Sequence, residues 1–360
     1  MVLQHIILPL AYDFWCIIDG RKKKRLIIFA DARHESIPAS MEIIHKEVIR
    51  RGHTVVDFFY DFSELSLIQT VFCSLKFMRL YANAGYIFIC DNFLPVASCR
   101  KRKRTKVIQL WHSCGLMKKI GYDTPEDIPE HYIGNVYKNY DMITVSAPCC
   151  VRPLTSGMRQ KPGVVKATGV SRTDIYYNEE WISDSRNQFY SMYPEAKNKR
   201  IVLWCPTFRG NAAHPYQVGE KDIFELEKKL GDGFFFIRKV HPHVEKIYHL
   251  SNCELSTEML LTVADIMITD YSSTVFDFLF FRKPFVLFAP DLKEYQEKRG
   301  FYVDYYSLTP YVASDGQELY EHVMKASCDD NKDWIDKCRN YHNYSCDGHA
   351  TDRILKLLGL

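Results

Sequence analysis

Residues 26–59 read LIIFADARHESIPASMEIIHKEVIRRGHTVVDFF and contain a strand, a helix and a second strand in succession. The apolar run at 26–30 is short and continuous, which is typical of a strand buried on both faces of a parallel sheet. Apolar residues recur at helical spacing over 38–51, and Gly52 ends that helix. The next apolar run, at 54–59, supplies the second strand. This order predicts a βαβ unit.

The same alternation continues along the chain in two series. The further strands are predicted at 86–90, 106–110 and 142–145 in the first series, and at 201–205, 234–238, 266–269 and 284–288 in the second. Strands that alternate with helices form parallel sheets with helices on both faces. The predicted fold class is therefore α/β, with two Rossmann-like, doubly wound domains facing a central cleft. We expect the domains to cover residues 1–155 and 156–360.

The composition is that of an ordinary globular protein with about two domains. The chain has 360 residues, 47% hydrophobic and 25% charged, and a net charge of +3. These values exclude a disordered or fibrous chain, and they argue against a dedicated nucleic-acid-binding protein, which carries a large basic excess. The 12 cysteines form no C-x-x-C pair, so we expect reduced thiols. Neither a signal peptide nor an apolar run of about 20 residues is found, which favours the cytoplasm.

Two histidines directly follow predicted strands, one in each half of the chain. His112 follows the strand at 106–110 and precedes small residues, a glycine and two lysines, which suits a general base beside an anionic substrate. His241 follows the strand at 234–238, and Pro242 restricts its backbone to extended geometry. Either histidine could instead serve only packing at a strand end. Because the ligand site of such folds lies at strand ends, we expect both to point into the same cleft.

Hydroxyl side chains and arginines follow other apolar segments. Two serines and a threonine at 272–274 stand at the predicted start of a helix, where free backbone N–H groups favour a phosphate. These residue types are also ordinary helix caps, and Asp277 stands one turn further on. The loops around Arg172 and Arg209 combine an arginine with a hydroxyl, and the guanidinium fork suits phosphate. Either arginine could instead form only a surface ion pair.

Taken in order, these segments resemble the CDP-glycerol glycerophosphotransferase family of teichoic acid primases and polymerases. The similarity extends over about residues 26–306, and its most specific part is the string ITDYSS at 268–273 with the residues that follow. Those residues are Phe276, Asp277, Lys283, Pro284, Asp291, Tyr295, Arg299, Gly300, Phe301 and Tyr302. The resemblance implies a GT-B fold, in which the N-terminal domain faces the acceptor and the membrane and the C-terminal domain binds a CDP-polyol.

The resemblance also implies roles for individual residues. It makes His112 the catalytic base and His241 its partner on the opposite wall of the cleft. The residues expected to bind the substrates are Ser113, Cys114, Gly115, Leu116, Arg172, Pro206, Thr207, Arg209, Lys239, Val240, Ser272, Ser273 and Asp277. No metal ion and no cofactor is expected, because GT-B enzymes generally use such groups in place of a bound metal.

The implied reaction is a single displacement at the glycerol-bearing phosphorus of CDP-glycerol, with release of CMP. The acceptor is expected to be a hydroxyl of a lipid-linked glycan or polyol phosphate, in teichoic acid or capsular polymer synthesis. Transfer from CDP-ribitol is an alternative, because the motifs recognise the shared CDP part. Residues 112–118 read HSCGLMK where the commoner motif is HGTPLK, and this departure leaves open a second alternative, nucleotide binding without turnover.

The protein is expected to act at a membrane surface, because the acceptors of this family are lipid-linked. One face of the helix predicted near 65–84 carries Leu65, Ile68, Val71, Phe72, Leu75, Met78 and Leu80. Five consecutive basic residues at 100–104 and a second basic run at 21–25 favour contact with anionic lipids. The helix face could instead be core packing and the cluster a solvated loop. The predicted location is peripheral, at the cytoplasmic face of the cell membrane, with no nucleic-acid partner.

Overall fold

The structure is a computed structural model, which describes residues 2–19, 26–129, 131–211, 214–240, 244 and 253–360. Each half of the chain forms one parallel β-sheet, and a two-stranded antiparallel hairpin accompanies the second sheet. Helices alternate with the strands in both halves. The predicted α/β class and the predicted pair of doubly wound sheets are therefore confirmed.

The first sheet contains six parallel strands. They are β1 (Leu26–Asp31), β2 (Val55–Phe59), β3 (Ala84–Ile89), β4 (Lys106–Gln109), β5 (Met142–Thr144) and β6 (Val165–Lys166). Their order across the sheet is β2-β1-β3-β4-β5-β6. Each apolar run predicted in this half forms a strand, whereas β6 has only two residues and leaves no periodic pattern in the sequence.

The second half contains the remaining strands that the structure describes. They are β7 (Arg200–Cys205), β8 (Arg209–Asn211), β9 (His214–Tyr216), β10 (Phe234–Arg238), β11 (Ile266–Thr269), β12 (Phe285–Phe288) and β13 (Val312–Ala313). Five of them form a parallel sheet in the order β10-β7-β11-β12-β13, while β8 and β9 pair with each other. The four strands predicted in this half are confirmed. The β8–β9 hairpin and β13 were not predicted from the sequence.

The helices connect the strands and cover both faces of the sheets. In the first half they are α1 (Leu8–Ile18), α2 (Ala39–Arg50), α3 (Leu67–Asn83), α4 (Leu94–Ala97) and α5 (Val151–Gly157). Further along the chain they are α6 (Glu179–Met192), α7 (Glu220–Leu230), α8 (Thr257–Val263), α9 (Thr274–Phe278), α10 (Leu292–Lys298), α11 (Gly316–Ser327), α12 (Asp333–His342) and α13 (Ala350–Leu358). Within the described ranges, no helix is both long enough and apolar enough to cross a membrane.

Helix α3 begins where its sequence provides a capping box. The side chain of Ser66 accepts a hydrogen bond from the backbone N–H of Gln69 at 3.3 Å, and the Gln69 side chain accepts one from the backbone N–H of Ser66 at 2.9 Å. This reciprocal pair satisfies two N–H groups that a helix start otherwise leaves without partners. The helix therefore starts at Leu67, two residues after the beginning of the predicted range.

The core of the first half is formed by apolar side chains between the sheet and its helices. Phe29 on β1 and Phe88 on β3 are fully buried and stack with ring centroids 4.8 Å apart and planes inclined by 14°. Burial of one such side chain contributes about 1.5–3 kcal/mol. The central strands are buried almost throughout, as the uninterrupted apolar runs predict.

The last helix, α13, returns to the first half of the molecule. Ile354 and Leu355 are fully buried in the core of the first sheet, and the Tyr86 hydroxyl donates to the carbonyl of Leu358 at 2.8 Å. The first sheet also includes β6, which lies beyond residue 155. The predicted boundary between residues 155 and 156 stays a prediction, but the group of elements around the first sheet is not continuous in the chain.

Candidate active site

Strand ends from both sheets open onto one cavity of about 410 Å³. From the first half it is lined by Asp91, which follows β3, and by His112, which follows β4. From the second half it is lined by Tyr271 and Ser273, which follow β11. The carboxyl ends of parallel strands are the usual ligand site of α/β folds. The cavity therefore lies in the cleft that the sequence pattern predicts.

The imidazole of His112 is held in one tautomer. Its Nδ1 lies 3.2 Å from the carbonyl oxygen of Cys90. Because a carbonyl oxygen can only accept, Nδ1 carries the proton of the neutral ring and Nε2 keeps its lone pair. The ring also stacks on Trp111, with centroids 4.8 Å apart. The side chain is thus oriented as a general base with one acceptor nitrogen.

The pKa of His112 is lowered from its usual value of 6.5. The main cause is desolvation, because the protein surrounding the ring disfavours the charged form even though the ring is open to the cavity. The carboxylate of Asp91 acts in the opposite direction and favours the charged form. At neutral pH the ring is therefore predominantly unprotonated, which is the form that can accept a proton.

Two serines connect the halves beside His112. The hydroxyl of Ser273 donates to the hydroxyl of Ser113 at 3.2 Å, and both residues line the cavity. The Ser272 hydroxyl instead donates to the hydroxyl of Thr274 at 2.9 Å and accepts from the Thr274 backbone N–H at 3.3 Å. Ser272 therefore forms a local hydroxyl turn directly before the short helix α9, whose N-cap position is Ser273, and its predicted contact with phosphate stays a prediction.

The three residues after Ser113 have different surroundings. Cys114 is fully buried in the apolar core of the second half, so its thiol faces away from the cavity, and its predicted contact with substrate stays a prediction. Gly115 has a φ of +55°, and its position allows the ring of Phe276 to lie against the backbone. Gly115 and Leu116 both line the cavity, although Leu116 is largely buried, and their predicted contact with substrate stays a prediction.

Arg172 and Asp277 form a buried ion pair. Nη2 of Arg172 donates to both carboxylate oxygens of Asp277, at 2.9 and 2.8 Å, and both side chains are buried. Nε of Arg172 donates to the carbonyl oxygen of His112 at 2.7 Å. The predicted contact of these two side chains with CDP stays a prediction. They hold the backbone of His112, because a buried charge requires a paired, hydrogen-bonded partner.

Arg209 is used in the same way within the second half. Its Nε donates to Asp291 at 2.7 Å, and its Nη1 lies 2.9 Å from a carboxylate oxygen of Asp270. The guanidinium also lies over the ring of Tyr271, 4.7 Å from the centroid. Only 8% of the side chain is exposed. In this structure Arg209 supports the wall that carries Tyr271, and its predicted role in substrate binding stays a prediction.

The other predicted donor-binding residues lie outside the lining of the cavity. Pro206 and Val240 are buried, and Nζ of Lys239 donates to the carbonyl of Cys253 at 2.7 Å. The hydroxyl of Thr207 is buried and has no hydrogen-bond partner among the described residues. The expected contacts of these residues with the CDP group stay predictions.

His241 lies outside the described residues. The expectation that its imidazole faces that of His112 across the cleft therefore stays a prediction.

Lys118 and Arg299 line the cavity together with Arg33, and none of these three cations was among the predicted site residues. The pKa of Lys118 is lowered to about 8, mainly by desolvation and secondarily by the positive charge of Arg299. Arg299 pairs with Asp127 at 2.7 Å and with Glu126 at 3.2 Å. The sequence does contain a signal for Lys118 and Arg299, since two lysines follow the glycine after His112 and the arginine belongs to the most specific string of the resemblance.

The arrangement suits removal of a proton from a hydroxyl group beside an anion. A neutral imidazole, hydroxyl groups and cations line one cavity that both halves enclose. In the part of the chain that the structure describes, no group of three or more His, Cys, Asp or Glu side chains could hold a metal ion. A neutral imidazole beside hydroxyl groups and cations can support general-base catalysis with electrostatic stabilisation.

Two Rossmann-like sheets that face a cleft with the site at their strand ends define a protein of the GT-B fold. Residues 13–359 match the family described as CDP-Glycerol:Poly(glycerophosphate) glycerophosphotransferase. The chain belongs to this family, and the predicted resemblance is confirmed.

Individual relatives are similar over most of the chain. A teichoic acid poly(ribitol-phosphate) polymerase of Bacillus spizizenii is 29% identical over 364 residues, covering 96% of this chain and 57% of that protein. A teichoic acid glycerol-phosphate primase of Bacillus subtilis is 31% identical over 303 residues, covering 79% of this chain and 76% of that protein. A solved variant of the wall teichoic acid polymerase TagF has a TM-score of 0.76 at 17% identity, covering 98% and 92% of the two chains. The last similarity confirms the GT-B fold.

Proposed function

We propose that this protein transfers glycerol phosphate from CDP-glycerol to a hydroxyl group of a lipid-linked glycan or polyol-phosphate acceptor and releases CMP. Family membership supports the reaction class, because the relatives include glycerol-phosphate primases and polymerases of teichoic acid synthesis. One observation carries the chemistry: His112 is held as a neutral base, with its Nε2 lone pair available, in a cavity that both halves line.

The proposed step is a single displacement at phosphorus. Nε2 of His112 accepts the proton of the acceptor hydroxyl while the oxygen attacks the glycerol-bearing phosphorus. A new O–P bond replaces the bond between that phosphorus and the oxygen that bridges to CMP. The bridging oxygen keeps the electron pair and leaves with CMP, and the imidazolium later releases its proton to solvent. A base positioned in this way accelerates a reaction by about 10²- to 10⁴-fold.

CDP-ribitol is a second candidate donor. A poly(ribitol-phosphate) polymerase and a ribitol-phosphate primase of Bacillus spizizenii are each 29% identical to this chain. The chain spans little more than half of that polymerase and 76% of that primase. These relatives support transfer of either polyol phosphate, and a donor assay distinguishes the two.

The test follows CMP released by the purified protein from CDP-glycerol or CDP-ribitol with a lipid-linked disaccharide acceptor. We expect release from one donor, and a fall of about 10²- to 10⁴-fold for His112→Ala, because the base is lost. His349→Ala is the matched control, since this histidine is exposed in the loop before α13 and should leave the rate unchanged. Nucleotide binding without CMP from either donor would support the non-catalytic alternative.

The membrane-facing part of the proposal rests on apolar side chains that remain exposed. Of the seven residues predicted to form the apolar face of α3, Met78 is buried, Ile68 and Phe72 are exposed, and the other four are half-buried. Helix α1 adds Leu10, Phe14 and Ile17, which are exposed to 65%, 53% and 78%. Exposed apolar residues at this spacing are typical of a helix that lies in a membrane interface.

The predicted basic cluster at 100–104 contacts helix α1. The backbone N–H of Arg102 donates to the hydroxyl of Tyr12 on α1 at 3.0 Å, while Lys103 and Arg104 are exposed. Cations beside an apolar helix face attract anionic lipid headgroups, by about 1 kcal/mol for each basic residue. The basic run at 21–25 lies outside the described residues. Peripheral attachment at the cytoplasmic face of the membrane is therefore part of the proposed function.

A further inference from the structure

Lys118 is held in the cavity by both halves of the molecule. Its backbone forms an antiparallel bridge with Phe301, and the flanking backbone of residues 117–119 bonds to residues 300–302. Two hydrogen bonds make this connection, Lys119 N–H to the Gly300 carbonyl at 3.0 Å and Tyr302 N–H to the Met117 carbonyl at 2.8 Å. The position of Lys118 is therefore determined by the contact between the halves and not by a loose loop.

The two arginines that act on Lys118, Arg209 and Arg299, each form ion pairs with carboxylates. Arg209 is paired with Asp270 and Asp291, and Arg299 is paired with Glu126 and Asp127. For the half-buried amine of Lys118, by contrast, the described residues provide neither a hydrogen bond nor an ion pair. An amine removed from solvent without a partner is costly, and a bound anion removes that cost.

The charged groups that act on the amine come from both halves. Arg299 and Arg209 disfavour its protonated form, while Asp270 and Asp127 favour it, and desolvation is the largest effect. Together they lower the pKa of Lys118 to about 8. At neutral pH the amine is therefore mostly charged, and about half of that charge is lost at pH 8.

We propose that Lys118 is a phosphate-binding residue of this cavity and contacts a phosphate oxygen of one of the two substrates. Lys118 lines the same cavity as His112 and Ser273, so an anion bound there lies beside the proposed base. An ammonium group is a compact donor suited to phosphate oxygens. The inference rests on the proposed function for the identity of the anion, which comes either from the diphosphate of the donor or from a phosphate of the acceptor.

The test compares Lys118→Ala and Lys118→Arg with the wild type in calorimetric titrations. The probes are CDP, which represents the donor, and glycerol phosphate, which represents a polyol-phosphate acceptor. For Lys118→Ala we expect the Kd of one probe to rise by about 10- to 100-fold, because a hydrogen bond to a charged group is lost. A rise for CDP assigns the contact to the donor, and a rise for glycerol phosphate assigns it to the acceptor. Lys118→Arg retains most of the affinity.

Raising the pH separates a direct contact from a structural role. Between pH 7 and 9 the wild type should lose affinity for that probe as Lys118 loses its proton. Lys118→Arg should show no such loss, because a guanidinium stays charged in this range. Lys119→Ala is the matched control. It removes the amine of the next residue, whose backbone N–H belongs to the same contact between the halves.

The proposal is overturned if both Kd values in Lys118→Ala stay within twofold of the wild type, or if Lys119→Ala weakens binding equally. It is also overturned if the wild type binds neither probe. These are binding measurements, so they judge Lys118 even if the protein releases no CMP. A failure of the proposed function is thereby distinguished from a failure of this inference.

Discussion

The buried pair of Arg172 and Asp277 determines how the backbone of His112 is held. Arg172 follows the last strand of the first sheet, and Asp277 lies on α9 in the second half. Because Nε of Arg172 binds the carbonyl of His112 while Nη2 binds Asp277, one guanidinium connects the loop of the proposed base to the opposite half. We expect these two residues to position the base.

Asp277→Asn should therefore destabilise the protein strongly. The substitution leaves the guanidinium of Arg172 buried without its counter-charge, which costs about 3–5 kcal/mol in the free energy of unfolding. Asp336→Asn is the control, because Asp336 pairs with Arg282 at the surface and such pairs contribute at most about 1 kcal/mol. Urea unfolding monitored by circular dichroism measures both. Equal losses for the two variants would show that the buried pair has no special role.

At the scale of elements, the segment after β4 meets helix α9 at Gly115. An ideal Cβ at Gly115 would lie 2.4 Å from the ring of Phe276, and the φ of +55° is unfavourable for other residues. The Phe276 ring has little room to move, because the centroid of the His342 ring lies 4.5 Å from its own centroid. The side chain of Asn343 also donates a hydrogen bond to the Phe276 carbonyl at 2.6 Å, which holds the backbone of Phe276. A glycine is therefore required at this contact between the two halves.

Gly115→Ala should reduce the free energy of unfolding by about 2–5 kcal/mol. This range adds the left-handed backbone strain of about 1–2 kcal/mol to an overpacking cost of about 1–3 kcal/mol. Gly52→Ala measures the backbone strain alone, because Gly52 has a φ of +83° and no atom lies within 4 Å of an ideal Cβ at that position. Chemical denaturation of both variants gives the difference. A Gly115→Ala loss no larger than the Gly52→Ala loss would contradict the close contact with Phe276.

On the scale of the whole molecule, contacts between residues distant in the chain join the two halves around the cavity. Ser113 bonds to Ser273, and residues 117–119 pair with residues 300–302. Helix α13 then closes the chain against the first sheet. Because α1, α3 and the basic cluster at 100–104 all belong to the first half, the proposed membrane contact and the proposed base share one structural unit.

Phe14→Ser and Phe72→Ser should each weaken binding to phosphatidylglycerol vesicles by about tenfold or more, because each removes an apolar side chain from the lipid contact. The two side chains are exposed to 53% and 67%, and Phe224 on α7 is exposed to 50%. Phe224→Ser is therefore the matched control and should bind like the wild type. Vesicle co-sedimentation measures the binding. Equal binding to phosphatidylcholine vesicles, or an equal effect of Phe224→Ser, would contradict the proposal.

Much of the fold is predictable because it depends on local patterns. The strands at 26–30 and 266–269 are continuous apolar runs, and the helix near 65–84 shows helical spacing and begins with a capping box. The two-residue strands β6 and β13 escape prediction, because two residues cannot establish a period and their pairing comes from the neighbouring strand.

The amino-acid sequence by itself determined the α/β class, the family and the candidate base at residue 112, because periodicity and motif spacing are properties of neighbouring residues. Only the tertiary structure decided the partners of the charged side chains. It showed that Arg172 binds Asp277, that Cys114 is buried, and that Lys118 lines a cavity without an ion pair among the described residues. The physical reason is that a side chain's hydrogen bonds and desolvation depend on residues that folding brings together from distant parts of the chain.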